Sequence, residues 1–412
     1  MTFRPTALAL AALAALAVAT SASAATSASA ASAASAASDQ LYVWMADADA
    51  AQDDFLATLD ARAGSPTYGR VVSTTLVGKR GTIPHHTEHE LAADGRLFAN
   101  GFKSGDTFVF DVRAAAAPTL VSSFGAPAPY QKPHSYARLP NGNVVATLQS
   151  SGEKGDGPGG LMEFTTGGQI VRTVDAADAA VDDHFVPYSI AVVPPLDRIV
   201  TTSSDMHERF VSKVVQVWRA SDLQRLATLT LPPGPGGKEG WDPAEPRVLA
   251  DGRTVMVSTF NCGLYLLGGL DTAAPSARFV HAFEGGGCAL PVVIGRWWIQ
   301  TVPEKHALVV LDIADPARPR EVGRVTLGDE YEPHWLAAEP NGRRLVMTSY
   351  GPRILVFAFD PDTGALSIDD AFRDAGADEP GLRMDRTDWP HGASGPAKPH
   401  GAVFSAPAAA TP

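Results

Sequence analysis

The chain has 412 residues, with 33 Lys and Arg against 45 Asp and Glu, a formal net charge of −12 and only two cysteines. Its acidic groups are spread along the chain and its basic ones form no cluster, which argues against a nucleic-acid partner, since that needs grouped Lys and Arg. The length exceeds a typical single domain unless the fold grows by repetition.

The first stretch, "MTFRPTALALAALAALAVATSASA", places one arginine before a short apolar run and small residues of Ala-x-Ala type. That pattern predicts a secretory signal peptide over 1–24, too short to be a transmembrane span. An Ala/Ser-rich lead-in over 25–38 is expected to be disordered. No later segment has the uninterrupted apolar length of a membrane helix, so the chain is expected to lie free in the periplasm or outside the cell. A short disordered tail is expected over 406–412.

From residue 39 the apolar segments are short, alternate or are β-branched, and are bounded by Gly, Pro, Asn and Asp, as strands are. "LYVWMAD" (41–47), "DFLATLD" (54–60) and "GRVVSTTLV" (69–77) come first. Six hairpins follow, beginning at 89 ("HELAADGRLFAN"), 134 ("HSYARLPNGNVVATL"), 188 ("YSIAVVPPLDRIVTT"), 246 ("PRVLADGRTVMVST"), 291 ("PVVIGRWWIQT") and 334 ("HWLAAEPNGRRLVMTS"). Each has a tight turn of Asp, Asn, Gly or Pro. A third strand follows each hairpin ("TFVFDV", "LMEFTT", "VVQVWRA", "LYLLGG", "ALVVLDI", "ILVFAFD"), and then a fourth. Four strands recurring every 43–58 residues are the signature of propeller blades. The three opening strands lack an innermost partner, and "GAVFS" (401–405) can supply it. The expectation is an all-β fold: one seven-bladed β-propeller over 39–405, closed by the C-terminal strand pairing with the N-terminal blade.

In a propeller, the loops entering the innermost strands and those joining second to third strands open on one face. His85 and His86 lie just before the second blade's inner strand. His134 heads the third blade, His334 the seventh, and His400 precedes the closing strand. The fourth blade offers His184 and Tyr188 there, and the fifth Glu245. His207 and His306 fall in second-to-third-strand loops on the same face. Neutral imidazoles converging on one concave mouth describe a site for copper, zinc or iron, which a carboxylate can complete. His89 and His281 fall outside the pattern and read as structural, His391 is ambiguous, and Glu88 and Glu90 read as solvated or as supports for the imidazoles. Cys262 and Cys288 fall on that face of neighbouring blades, where either a disulfide or two free thiols can be accommodated.

Several stretches together resemble the selenium-binding protein/methanethiol oxidase family. They are "DDFLATLDARAGSPTYGRVVSTTLV" followed by the double histidine, "HSYARLPNGNVVATLQSSGEKGDGPGGLMEF", "VVQVWRASDLQRLATLTL", "LVVLDIADPARPREVGRVTLG" and "GPAKPHGAVF". The resemblance spans most of 41–405. It implies a seven-bladed propeller and a copper-dependent oxidase taking methanethiol, oxygen and water to formaldehyde, hydrogen sulfide and hydrogen peroxide. It implies metal-site roles for His85, His86, His134, His306 and His400, and places Glu245 where the family has a Glu before an arginine, here Arg247. His334 rests on the repeat alone. The expected site therefore has His85, His86, His134, His334 and His400 on the metal and Glu245 and His306 as proton carriers. A small thiol and O2 are the expected partners. The family's cysteine-rich segment after the double histidine is "TEHEL" here, and its Asp-Cys-rich ending is absent. The alternative is a non-enzymatic propeller that binds metal or a protein partner on the same face. A calcium-dependent hydrolase would need converging carboxylate and amide oxygens, whereas this mouth is richer in imidazole.

Overall fold

The computed structural model describes residues 38–406. The expected signal peptide, the lead-in up to residue 37 and the tail from residue 407 lie outside the described residues.

Short apolar strands separated by left-handed Gly turns cannot each bury both faces alone, and they do so here by stacking sheet on sheet. Blade I pairs Val71–Leu76, Phe55–Asp60 and Gln40–Asp47, in that order, with Ala397–Phe404 innermost. Blade II runs outward through Pro84–Thr87, Arg96–Gly101, Asp106–Asp111 and Thr119–Gly125. The innermost strands of blades III to VII are Tyr130–Arg138, Pro187–Val193, Pro243–Val248, Val292–Ile294 and Pro333–Ala338. Every ladder within these blades is antiparallel, and the innermost strands neighbour one another in cyclic order. The core lies between sheets, where Trp44, Trp218, Trp298 and Trp335 are fully buried. Outermost strands alternate between part-buried and exposed residues, as in Thr119–Gly125, because only one edge of each sheet meets water. Two 3₁₀ turns, Pro194–Leu196 and Pro303–Lys305, are the helical segments among the described residues. No helix there is long and apolar enough to cross a membrane.

Ala397–Phe404 runs antiparallel to Gln40–Asp47, with Leu41 opposite Phe404 and Asp47 opposite Ala397. Buried polar groups tie this seam to blade VII. The Ser38 amide donates to Glu339 Oε1 at 2.6 Å, and its hydroxyl donates to the Ser405 carbonyl at 2.6 Å. Arg344 meets Glu339 through two nitrogens at 2.6 and 2.8 Å and also donates to the Ala61 and Ser38 carbonyls. Cys262 and Cys288 are joined in a disulfide, Cα to Cα 5.0 Å, linking blade V to the approach to blade VI.

Candidate metal centre

The inner strands share a local device. In blade II, His85 and His86 together oppose the single residue Asn100, because Pro84 pairs with Gly101 while Thr87 pairs with Ala99. Blade III repeats this with His134 and Ser135 opposite Thr147, and blade IV with Tyr188 and Ser189 opposite Thr202. Each is a bulge that begins at a proline, which has no N–H for the ladder. The side chain of the single opposing residue takes over the lost bond. Asn100 Oδ1 accepts the His86 amide at 2.6 Å, and the Thr147 and Thr202 hydroxyls accept those of Ser135 and Ser189 at 3.0 Å. The same side chains reach the next blade, with Asn100 donating to the Pro133 carbonyl, Thr147 to that of Tyr188 and Thr202 to that of Ala244.

The bulge settles how two adjacent histidines can serve one site. Consecutive strand residues point to opposite faces, but the extra residue turns both imidazoles into the channel, with ring centroids 4.6 Å apart and nearly parallel. It also corrects the expected placement. His85, His86 and His400 lie within the inner strands rather than just before them, His134 and His334 lie inside theirs rather than at the head, and Glu245 lies within Pro243–Val248.

All five histidines come together. His85 is 4.0 Å from His400 and 4.9 Å from His134, His86 is 4.1 Å from His134, and His334 is 4.7 Å from His400, ring centre to ring centre. His85, His86 and His134 each offer a ligand atom within 4.8 Å of the others. His134 Nδ1 donates to the Tyr188 carbonyl at 2.8 Å, and His86 Nδ1 meets the Ser135 hydroxyl at 2.8 Å. Engaging Nδ1 in this way leaves Nε2 as the free donor atom, the arrangement that orients metal-ligating imidazoles. The Nε2 atoms of His85, His86, His134 and His334, with Nδ1 of His334 and His400, are buried without a protein partner. An unpartnered buried polar group costs about 1–3 kcal/mol, so such a cluster is expensive unless a ligand satisfies it. Imidazole nitrogens without carboxylate or thiolate suit copper, zinc, iron or nickel.

Burial holds these rings neutral. It lowers His85, His86 and His334 well below the usual imidazole value, and neighbouring imidazoles push the same way. It lowers His134 to about 3 and His400 to about 4, although main-chain hydrogen bonds oppose the shift. Between pH 6.5 and about 3 the unfolded chain therefore takes up a proton at His134 that the folded chain does not, so stability falls as pH falls through that window. The metal-free protein is expected to lose urea resistance from about pH 6.5 downward, and His134→Ala to lose less. A urea midpoint equally flat with pH in both proteins would contradict this.

The remaining candidates separate. Glu245 is fully buried in the channel wall. Its Oε2 accepts Ser189 Oγ at 2.7 Å and Arg247 Nη1 at 2.6 Å, and burial raises its carboxyl despite the arginine. His306 is not brought into the cluster: its Nδ1 bonds the Tyr331 carbonyl at 2.7 Å, at the left-handed end of a 3₁₀ turn, which ties the ring to blade VI's outer connection. His184 stacks on Phe210, and His207 contacts Lys132 at the rim. His391 bonds Thr74 and Ser394. Glu88 is not solvated but buried against Arg138 at 2.6 Å. His89, expected outside the pattern, stacks on Trp335 at 4.4 Å and receives Arg247 Nη2 at 3.2 Å, which links Glu245 and Arg247 to the floor of the cluster. Its ring centre lies 6.3 Å from that of His86.

No protein-family model matches the chain. A methanethiol oxidase from Hyphomicrobium is 28% identical over 169 residues, 40% of this chain and 38% of that protein. Another, from Ruegeria pomeroyi, is 29% identical over 144 residues, 32% of this chain and 31% of its own length. Over these stretches the chain is similar to methanethiol oxidases. The stretches shared with these oxidases thus span well under half of their length. The structure of a hypothetical selenium-binding protein from Sulfolobus tokodaii superposes with a TM-score of 0.73 at 16% identity, covering 91% of this chain and 95% of that one. That likeness supports the seven-bladed fold.

Proposed function

We propose that the protein is an exported, copper-dependent oxidase of small thiols that, like the methanethiol oxidases it resembles, converts methanethiol, oxygen and water into formaldehyde, hydrogen sulfide and hydrogen peroxide. The observation that carries this reading is the convergence of five buried imidazoles with unpartnered ring nitrogens at one channel mouth. The named relatives support the reaction class. The apolar N-terminal stretch and the disulfide, a bond typical of oxidising compartments, support export. We also read the pairing of Ala397–Phe404 with blade I as the closure of the ring.

His85, His86 and His134 would hold the metal, with His400 and His334 beside them. Copper bound there would supply one-electron redox chemistry next to a position for sulfur. The chain supplies the rest. Ser135 and the Tyr188 carbonyl fix the tautomers of His86 and His134. Burial keeps the rings neutral and able to donate electron pairs. Glu245, its carboxyl raised by burial and steadied by Ser189 and Arg247, stands at the channel wall as a group that can exchange a proton. His306, fixed to Tyr331, has no part in this reading.

Protein purified from the periplasm should contain near-stoichiometric copper and should consume methanethiol with release of equimolar hydrogen sulfide and hydrogen peroxide. Protein that retains no transition metal after incubation with copper, and turns over no thiol, would return the propeller to the reading of a binding scaffold.

A further inference from the structure

Above the cluster, on the same face, a cavity of about 580 Å³ opens to solvent, with His85 and His334 on its wall. Methanethiol has one carbon and one sulfur, so it fills on the order of two waters' share of volume, roughly 60 Å³. The cavity instead has the size of sites that enclose drug-sized ligands.

Its walls are built for an apolar body. Tyr350 lies 4.2 Å from His334, ring centre to ring centre, and is 53% exposed, so its ring face is open to a ligand in the cavity. Phe260 and Tyr188 meet edge to face at 5.3 Å on the opposite wall. Val211, 42% exposed, adds a further apolar surface. Tyr188 borders the cavity, and its buried hydroxyl has no protein partner. The charges weigh against an anionic substrate. Arg209 is the lysine or arginine of the lining, and Asp205 holds it at 3.0 Å, while Glu208 and Asp242 add carboxylates.

Resting on the oxidase reading above, we infer that the preferred substrate is a neutral primary thiol with an aromatic-sized apolar body, bulkier than methanethiol, which Tyr188, Phe260 and Tyr350 select while its sulfur faces His85 and His334. One thiol R–CH2–SH, one O2 and one water give one aldehyde R–CHO, one hydrogen sulfide and one hydrogen peroxide. The C–S bond breaks, and water supplies the aldehyde oxygen. The carbon gives up two electrons, which reduce O2 to peroxide, and sulfur leaves as hydrogen sulfide. Methanethiol would touch only the floor of the cup and would leave unused the wall contacts that can contribute to the transition state.

The test compares methanethiol, 2-phenylethanethiol and 3-mercaptopropionate on the copper-loaded protein. A separate measurement follows, by calorimetry, the binding of 2-phenylethanol, an oxygen isostere, to the protein as purified. We expect kcat/KM to be highest for 2-phenylethanethiol and lowest for the carboxylate. Tyr350→Ala, at a half-exposed position that the fold does not need, should lower the phenylethyl value about tenfold more than the methanethiol value, as for the loss of one aromatic contact. It should weaken 2-phenylethanol binding in parallel. Absence of saturable 2-phenylethanol binding, or a preference for methanethiol that Tyr350→Ala leaves unmoved, overturns the inference and leaves the oxidase reading standing. Tyr350-dependent binding of 2-phenylethanol without turnover of any thiol supports the cavity's selectivity and overturns the oxidase reading instead.

Discussion

The His86→Ala/His134→Ala double variant is expected to be purified folded and without metal. These two residues supply two of the three donor atoms that lie within 4.8 Å of one another. They are also the two whose other ring nitrogen is anchored, by Ser135 and by the Tyr188 carbonyl. Losing an outer support of a metal ligand costs about 10–100-fold in affinity, so losing two ligands should cost at least about 100-fold. Thiol oxidation should vanish with the metal. His391→Ala is the matched control, because that histidine also follows a proline but bonds Thr74 and Ser394 away from the channel. Elemental analysis of the three proteins decides the matter. Parental copper in the double variant would remove the cluster as the metal centre, whatever the assay shows.

Glu339→Ala should destabilise the propeller by about 3–5 kcal/mol, the range for removing one partner of a buried ion pair. Glu339 is 1% exposed and Arg344 8% exposed, so the variant leaves a guanidinium buried without its counter-charge. It also removes the acceptor of the Ser38 amide, which loosens the seam between blade VII and the terminal strands. The exposed Arg318–Asp315 pair offers the contrast, since Asp315→Ala should leave the urea midpoint where it is. A Glu339→Ala midpoint as close to the parent as that of Asp315→Ala would show that water already reaches the seam.

Much of the fold was legible because a blade repeats. Strand period, turn residues and spacing recur together, so an error in one hairpin is corrected by the next, and the register of blades predicts which face collects the histidines. What the strand pattern could not give was main-chain detail. Period-two alternation sends His85 and His86 to opposite faces, and only a bulge brings both inward. Its signal was in the sequence, as Pro-His at 84–85, 133–134, 333–334 and 399–400, because a proline that cannot join the ladder marks where the strand departs from regular pairing. The same dipeptide at 390–391 lies in a small hairpin outside the blades, so the motif needs the repeat to be read. His306 shows the opposite limit. Its loop is on the right face, but the Tyr331 carbonyl holds its ring away from the cluster, and no spacing rule anticipates a single such bond. The contact of His89 with Trp335 and Arg247 was not legible because the inner strand starts earlier than the hairpin pattern suggested.

The cluster joins residues that ribosomal synthesis separates widely. His85, His86 and His134 stand on the second and third blades, whereas His400 sits on the strand that completes the first. A chain leaving the ribosome N-terminus first therefore exposes three imidazoles long before His334 and then His400 arrive, and until then they line an open arc. Maturation is thus ordered by topology, since the strand that completes the first blade also completes the donor set. A metal held between His85 and His400 would then act as a latch across the seam, coupling cofactor retention to the integrity of the ring.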